Sequence, residues 1–279
     1  MKNLYVTGGL GQDGKILTRI LSKKKFKIFY LINKKYTIEK RGIHFIKINL
    51  LKKIKIRKIF KINKPDIILH LASNNPAFKE KNYKKFYLDN LKSSLNIFNS
   101  AYDINKNVKF VSISSSQIFR NRHGRVSEKS KTKITSPYTK FRIEFDKFLD
   151  KKKSDTTNVI LFNHDSKYRN KKFLLPRIMQ ALKNRNYKFL QEIINSNIFG
   201  DFSHAEDICE GINKVILSKK KIKSVILSSN KVTSINSIIN YVIKKNKLKI
   251  NLNFSSTTIK KHLLIGDNSF AKRLLKWRH

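Results

Sequence analysis

Glycines at positions 8, 11 and 14 have the spacing of a turn that holds a nucleotide. They follow a β-rich segment and precede a stretch with helical spacing. Glycine lets the backbone turn tightly and approach a pyrophosphate closely, and the first amides of the following helix point at the anion. We therefore expect dinucleotide contacts from Thr7, Gly8, Gly11, Gln12, Asp13 and Gly14.

A second group of residues combines hydroxyls with a cation. Tyr138 begins a predicted helix after Ser136-Pro137, and Arg142, four residues later, shares its helical face. A cation there would stabilise the phenolate and let Tyr138 act as a base toward a sugar or alcohol hydroxyl during hydride transfer. Ser114-Ser115-Ser116 ends a predicted strand and would supply a hydroxyl to the same oxygen.

The end of the second predicted strand bears on the choice of dinucleotide. NAD sites place an acidic residue there, which holds the ribose 2′-hydroxyl. This chain has Asn33-Lys34-Lys35 instead, with no carboxylate to repel a 2′-phosphate and two cations to attract one. The sequence thus predicts Asn33 and Lys34 in the cofactor site and favours NADP over NAD.

Short β-rich runs alternate with helical stretches in the N-terminal half. Strands are predicted at 4–6, 27–32, 44–48, 67–71, 109–114 and 158–162. Because parallel strands need crossover connections, this order implies a parallel sheet with helices on both faces. We expect an α/β fold: a doubly wound, Rossmann-like domain at 1–162 and a small, discontinuous C-terminal substrate-binding region at 163–279, from which 201–228 return to the first domain.

Composition limits the class of protein. The chain has 279 residues, of which 40% are apolar, enough for a sizeable core. A single cysteine and the absence of clustered His or Cys predict neither a disulfide nor a metal site. No signal peptide is evident, and no apolar run approaches the roughly 20 residues of a membrane span, so we expect a soluble, cytoplasmic protein without a membrane partner.

The chain is strongly basic, with 62 Lys and Arg against 18 Asp and Glu and a net charge of +44. Such a charge raises the question of binding to nucleic acid or an anionic membrane. The lysines are spread over the whole chain, and Ile and Asn are abundant too. A solvated basic surface is therefore favoured, and nucleic-acid binding is the less favoured alternative.

Six segments resemble, in order, those of the GDP-mannose 4,6-dehydratase family, an extended short-chain dehydrogenase/reductase family. The most specific is Leu161-Phe162-Asn163-His164-Asp165-Ser166, and the likeness covers nearly the whole chain. The segments are Gly8 to Gly14, 114–119, 136–138, 160–166, 201–207 and 266–277.

The resemblance implies a nucleotide-diphosphate-sugar enzyme, with GDP-mannose the favoured substrate. In that family NADP takes a hydride from sugar C4, water leaves across C5 and C6, and the hydride returns to C6. By position, Tyr138 would be the C4-hydroxyl base and Ser115 its hydrogen-bonding partner, and we expect Asn163 and Arg177 to contact the substrate. A homodimer or homotetramer is implied as well. The remaining cofactor contacts expected are Asn49, Leu50, Leu71, Ala72 and Ser73, together with Tyr138 and Arg142.

Departures from the family's pattern leave the reaction open. Arg142 replaces a lysine, which keeps the charge but changes its geometry. Gln117 replaces the glutamate that removes the C5 proton, and an amide cannot ionise. Gly200 replaces a substrate-binding arginine. Thr257 and Lys260 stand at the positions where the family has a C-terminal Arg/Glu pair. The interpretations are a dehydratase, an epimerase or 4-ketoreductase that acts without water loss, and a catalytically impaired NADP-binding protein.

Overall fold

The computed structural model describes residues 1–21, 26–34, 42–74, 82–121, 123–254 and 263–279. Lys35, Thr257 and Lys260 lie outside these ranges. Within them, no helix combines the length and the apolar character needed to cross a bilayer. In the same residues, no group of three or more His, Cys, Asp and Glu side chains could hold a metal ion.

The chain alternates strands and helices along most of its length. The strands are β1 Lys2–Thr7, β2 Phe26–Ile32, β3 Ile43–Lys47, β4 Ile67–His70, β5 Lys109–Ser115, β6 Gly124–Val126, β7 Thr156–Leu161, β8 Asn163–Asp165, β9 Phe199–Gly200, β10 Phe202–His204, β11 Ser224–Leu227, β12 Thr233–Ser234 and β13 Leu264–Gly266. The helices are α1 Gln12–Leu21, α2 Lys53–Ile62, α3 Tyr83–Ile104, α4 Pro137–Asp150, α5 Leu174–Lys183, α6 Tyr187–Asn195, α7 Ala205–Leu217, α8 Ile235–Lys245 and α9 Ser269–Leu275. A 3-10 turn, Ser116–Ile118, follows β5.

Seven parallel strands form the central sheet, in the order β11-β7-β5-β4-β1-β2-β3. From β1 the chain runs outward through β2 and β3, then returns to the other side of β1 at β4. This change of direction opens a crevice at the carboxyl ends of β1 and β4, which is where open α/β sheets bind ligands.

Both faces of the sheet are covered, because successive side chains of a strand point to opposite sides. Leu4 and Val6 of β1 pack with α1, α7 and Trp277. Tyr5, between them, packs on the other face with aromatic residues of α2, α3 and α4, such as Phe60. Burial on both faces explains the near-continuous apolar runs of the central strands.

The C-terminal half contributes to two places in the molecule. β11 is the edge strand of the large sheet, and α7 packs against α1. α5, α6 and α8 instead share a separate apolar cluster built on Ile178, Leu190 and Ile239. The domain division at residue 162 stays a prediction.

The predicted α/β fold with a doubly wound parallel sheet is confirmed, and the six predicted strands lie within about two residues of those in the structure. The helix α2 was not predicted. Its sequence, KIKIRKIFKI, begins with an alternation of Lys and Ile that obscures the helical spacing of Ile56, Ile59 and Phe60, and of these three Ile56 and Phe60 are buried.

Candidate functional site

The glycine turn connects β1 to α1 at the crevice of the sheet. Gly8 has φ +72°, and a Cβ atom on it would lie 2.9 Å from the backbone nitrogen of Ala72. The Gly11 amide donates to the Gly8 carbonyl oxygen at 3.0 Å and closes the turn. Only a residue without a side chain fits here, because both the conformation and the approach of Ala72 exclude a Cβ.

The turn rests on an aromatic side chain of β2. A Cβ atom on Gly9 would lie 2.2 Å from the Tyr30 ring, and one on Gly14 would lie 2.4 Å from the Cα of Gly9. The Thr18 hydroxyl donates to the Gly14 carbonyl oxygen at 2.7 Å and lies 2.5 Å from the Tyr30 hydroxyl. Burial raises the pKa of Tyr30 to about 12, so this support is a neutral phenol. Sequence reasoning missed Gly9 and Tyr30, although Gly9 is part of the same run.

A cleft of about 430 Å³ lies beside the turn and brings most of the expected cofactor residues together. Its wall includes Asp89, Asn90 and Ser93 of α3, which were not predicted. Lys34 is exposed at the end of β2 and does not belong to the lining. The predicted residues that line the cleft are Gly8, Gly11, Asn33, Asn49, Leu50, Leu71, Ala72 and Ser73.

A buried chain of hydrogen bonds connects Ala72 to Asn90, and both of these residues line the cleft. Thr7 Oγ1 accepts from the Ala72 amide at 3.1 Å and lies 2.8 Å from His70 Nδ1. His70 Nε2 lies 2.9 Å from Ser94 Oγ, which donates to the Asn90 carbonyl oxygen at 2.8 Å. This arrangement requires the neutral Nε2–H tautomer. Consistently, burial lowers the pKa of His70 to about 3.

Helix α4 positions the proposed base and its cation. Ser136 caps the helix, since its hydroxyl accepts from the Thr139 amide at 3.1 Å, and Pro137 occupies the first turn. Tyr138 and Arg142 are both buried and lie one turn apart. The guanidinium carbon of Arg142 is 5.1 Å from the centroid of the Tyr138 ring.

Arg142 also ties α4 to the sheet and to the cofactor cleft. Its side chain is 4% exposed. The guanidinium donates to Ser73 Oγ at 2.9 Å and to the carbonyl oxygen of Ile113. Because Ser73 lines the cleft, Arg142 joins the Tyr138 side of the site to the expected dinucleotide side.

The serines at the end of β5 have different surroundings. Ser115 is half-buried, and its Oγ accepts from the Gln117 amide at 3.3 Å. Gln117 is exposed on the 3-10 turn that follows. Ser114 instead donates to Asp146 Oδ2 at 3.3 Å, and burial raises the pKa of Asp146 to about 7. Ser115 and Ser116 are both half-buried, at and just after the carboxyl end of β5.

The two expected substrate residues lie in different places. Asn163 is exposed at the start of β8, immediately after β7, and its backbone pairs with Phe202 of β10. Arg177 is exposed on α5, with its guanidinium carbon 4.9 Å from the Phe189 ring centroid. It lines a separate cleft of about 280 Å³ together with Asn184 of the α5 C-terminus.

The side chains of Gln12 and Asp13 contact the segment after β7. Gln12 Nε2 donates to the His164 carbonyl oxygen at 3.2 Å, and its Oε1 accepts from Ser166 at 3.1 Å. The Asp13 carboxylate lies 3.2 Å from His164 Nε2, and His164 Nδ1 lies 2.7 Å from the Phe162 carbonyl oxygen. Both ring nitrogens therefore face groups that only accept, so His164 carries two protons and a positive charge.

The two pKa shifts agree with this ion pair. Burial alone would lower the pKa of His164, but the Asp13 carboxylate outweighs it and raises that pKa. Burial would raise the pKa of Asp13, but the charge of His164 and its hydrogen bond lower it. Sequence reasoning did not pair His164 with Asp13, because the two residues are 151 positions apart in the chain.

Comparisons with known proteins agree with this architecture. The family model described as GDP-mannose 4,6 dehydratase matches residues 5–279. No curated protein matches the chain. Among solved structures, UDP-glucuronic acid 4-epimerase from Bacillus cereus in complex with NAD has a TM-score of 0.80 at 18% identity, covering 99% of this chain and 91% of that chain.

Two further solved structures are similar. The UDP-Glc/GlcNAc 4-epimerase from Campylobacter jejuni has a TM-score of 0.81 at 17% identity and covers 100% of this chain and 94% of that one. The dTDP-glucose 4,6-dehydratase from Bacillus anthracis in complex with NAD has a TM-score of 0.80 at 15% identity and covers 100% and 91%. At these identities the likeness shows a shared fold.

We expect the Asp13–His164 pair to make stability depend on pH. Since the pKa of His164 is raised, its contribution is fully present below the unfolded histidine pKa of about 6.5 and is lost as pH rises through the folded-state pKa. Since the pKa of Asp13 is lowered, its contribution is present above about 3.9 and is lost as pH falls through the folded-state pKa. The pair should stabilise most between about pH 4 and 6.5, by about 1–3 kcal/mol.

Urea unfolding of the wild type and His164→Asn over a pH series checks this expectation. The difference in unfolding free energy between the two proteins should shrink above the window. A constant difference from pH 5 to pH 9 would show that His164 is not charged in the folded chain.

Proposed function

The chain belongs to the GDP-mannose 4,6 dehydratase family, whose members are nucleotide-sugar epimerases and dehydratases, and on that premise we propose an NADP-dependent enzyme that dehydrates GDP-mannose. The observation that carries the proposal is the link from Tyr138 through Arg142 to Ser73. It joins a buried phenol and a buried cation to the wall of the cleft beside the glycine turn.

The residues of the crevice fit a nicotinamide dinucleotide. Gly8 packs so closely on Ala72 that a Cβ would fill the approach to the turn. The cleft offers apolar walls for a purine, such as Ile48 and Leu50, beside amides such as Asn49. NAD is present in the similar epimerase and dehydratase structures from the two Bacillus species. When bound, a nicotinamide supplies reversible acceptance of a hydride.

The preference for NADP rests on the end of β2. Asn33 lines the cleft where NAD sites have an acidic residue, and Lys34 follows it on the surface. The carboxylate in the cleft lining, Asp89, belongs to α3 and forms an ion pair with Lys85. A 2′-phosphate at β2 would therefore meet an amide and a nearby cation.

Tyr138, Arg142 and Ser115 have different roles in the proposed proton transfer. Tyr138 is the base that takes the proton from the sugar C4 hydroxyl. The guanidinium of Arg142 lies 5.1 Å from the centroid of the Tyr138 ring, and its bonds to Ser73 and Ile113 hold it in place before the reaction. Ser115 already accepts from the Gln117 amide, which leaves its own proton for the sugar oxygen.

The proposal also includes the residues that bind the substrate and the oligomeric state. Asn163 is exposed two residues beyond the end of β7, the strand next to β5, and by the family resemblance it would contact the diphosphate region of the nucleotide sugar. The guanidinium of Arg177 is available on the surface of α5 for the same ligand. A homodimer or homotetramer is part of the proposal because of the family resemblance.

Incubating the purified chain with NADP and GDP-mannose tests the proposal. We expect a 4-keto-6-deoxy sugar nucleotide, detected by mass spectrometry. Tyr138→Phe should form it at least about 10²-fold more slowly, since it removes the base, while it keeps the affinity for NADP. Absence of product at every enzyme concentration would reject the dehydratase.

A second candidate function follows from Gln117. This residue lies two positions after Ser115, on the exposed 3-10 turn that follows β5, at the position where the family's glutamate removes the C5 proton. An amide has no ionisable group, so the site lacks that base. Oxidation at C4 followed by epimerisation or ketoreduction needs only Tyr138 and a hydride acceptor, and it involves no loss of water.

The variant Gln117→Glu separates the two reactions. If the natural chain is an epimerase or a ketoreductase, Gln117→Glu should gain water elimination by about 10²-fold or more, because it restores a general base. Gln117→Asn, which also cannot ionise, is the matched control and should behave like the wild type. Equal dehydration by all three proteins would show that another residue is the C5 base.

A chain that binds NADP but transfers no hydride to or from any nucleotide sugar would leave the third interpretation, a catalytically impaired NADP-binding protein. Titration with NADP therefore accompanies every activity measurement.

A further inference from the structure

Helix α2 has the densest positive charge of any helix that the structure describes. Its ten residues include the cations Lys53, Lys55, Arg57, Lys58 and Lys61 and no carboxylate. None of the other helices described has more than two cations in excess of its carboxylates. Lysine is abundant along the whole sequence, but among these helices the excess of positive charge is concentrated in α2.

The five cations of α2 are exposed, and within the described ranges none of them forms an ion pair. Lys53, Arg57 and Lys61 follow one another at intervals of four residues, so like charges are neighbours on the helix surface. Lys53 and Lys55 also lie in the first turn, where the helix dipole disfavours a cation. This charge weakens α2, and an anionic surface against the helix would relieve the repulsion.

The same helix exposes two large apolar side chains. Ile54 is 75% exposed and Ile62 is 79% exposed, and in the part of the chain that the structure describes only Met1 exceeds them among the large apolar residues. Ile134, at 50%, is the one other exposed isoleucine of those residues. An abundance of isoleucine in the composition does not explain this pair, because the remaining described isoleucines are buried or half-buried.

The opposite face of α2 is fixed to the central sheet. Ile56 and Phe60 are fully buried, and the Phe60 ring meets the Tyr5 ring of β1 edge-on, with centroids 4.8 Å apart. The Tyr5 hydroxyl donates at 2.8 Å to the carbonyl oxygen of Asn63, the C-cap residue of the helix. These contacts fix which side of α2 faces outward.

Helical geometry places the exposed isoleucines and the cations on one outer face. Successive residues are about 100° apart around a helix, so Ile54 and Lys58 each lie about 160° from the buried Ile56. Lys61 and Ile62 lie about 140° and 120° from Ile56 by the same geometry, and about 12 Å of helix separates Ile54 from Ile62. A flat surface brought against α2 therefore meets these four side chains first.

We propose that this outer face of α2 docks on an anionic lipid surface. The cations lie against the headgroups, and Ile54 and Ile62 enter the boundary between the headgroups and the acyl chains. Charge attraction and burial of apolar side chains both contribute to such docking. The expectation of no membrane partner rested on the lack of an apolar span, and docking by a surface helix requires no span.

Nucleic acid is the other polyanion that the cations of α2 could attract. It fits this face less well, because the side chains of Ile54 and Ile62 find no apolar partner on a sugar-phosphate backbone. The helix also exposes no aromatic ring on which a base could stack, since its one aromatic residue, Phe60, is buried. The exposed isoleucines therefore favour the lipid surface.

Binding to vesicles tests the charge contribution with two variants that lose the same charge. The α2 variant is Lys58→Gln, Lys61→Gln, and the control variant is Lys220→Gln, Lys223→Gln, before β11; all four lysines are exposed. Cosedimentation measures the affinity for phosphatidylcholine vesicles that contain about 30% phosphatidylserine. The α2 variant should bind about tenfold more weakly than the wild type, and the control variant within about threefold of it. Circular dichroism verifies that both variants fold.

Tryptophan emission tests the insertion of the isoleucines. The single natural tryptophan, Trp277, is 1% exposed, so a second tryptophan on the surface reports its own surroundings. With the same vesicles, the emission of Ile54→Trp should shift to shorter wavelengths, because its ring enters an apolar layer. Ile134→Trp, which replaces the exposed isoleucine outside α2, is the matched control and should keep its emission. Vesicles of phosphatidylcholine alone should shift neither variant.

Three outcomes would overturn the proposal. Equal affinity of the two lysine variants for the vesicles would show a general effect of charge without a docking face. An unchanged emission of Ile54→Trp at saturating vesicle concentration would show that α2 does not enter the lipid. If the α2 variant loses affinity for an RNA oligonucleotide but not for the vesicles, the face binds nucleic acid instead. None of these outcomes bears on the proposed function, because no residue of α2 lines the cleft beside the glycine turn.

Discussion

Contact of backbone with backbone at the glycine turn is the constraint on which the site depends. Gly8 packs against Ala72, and Gly14 packs against Gly9, at distances that leave no space for a Cβ atom. These contacts bring the end of β1, the loop after β4 and the first turn of α1 within reach of one ligand. The Tyr30 ring supports the turn from beneath. A close-packed interior cannot shift far enough to make room for an added atom, so these contacts set the shape of the crevice.

Charge in the site is arranged by burial and pairing, although the chain is basic throughout. His70 is neutral, because its two nitrogens join two hydroxyls in a buried chain. His164 is charged, because it lies between a carboxylate and a carbonyl oxygen. Arg142 is charged and buried, with protein oxygens as its acceptors. The same chain thus uses three basic side chains in three ways, according to what each one faces.

Sequence reasoning reached the fold and the glycine turn because both depend on local patterns. The β-rich runs and the glycine spacing are visible within windows of about ten residues, and the family resemblance ordered the rest. The His164–Asp13 pair, the support of Gly9 by Tyr30 and the part played by Asn90 were missed, since each joins distant segments. α2 was missed for a different reason, because its alternation of Lys and Ile resembles a charged loop or a strand. The roles of Tyr138, Ser115, Arg142 and Gln117 stay predictions.

The affinity of NADP for the wild type, Gly8→Ala and Gly124→Ala shows whether dinucleotide binding depends on the backbone contacts of Gly8. Both glycines have positive φ, but a Cβ on Gly124 would meet nothing within 4 Å, so that variant reproduces the backbone strain without crowding the crevice. We expect saturable binding to the wild type and to Gly124→Ala, and binding about tenfold or more weaker to folded Gly8→Ala. Equal affinity of all three proteins, or no binding to the wild type, would contradict this expectation.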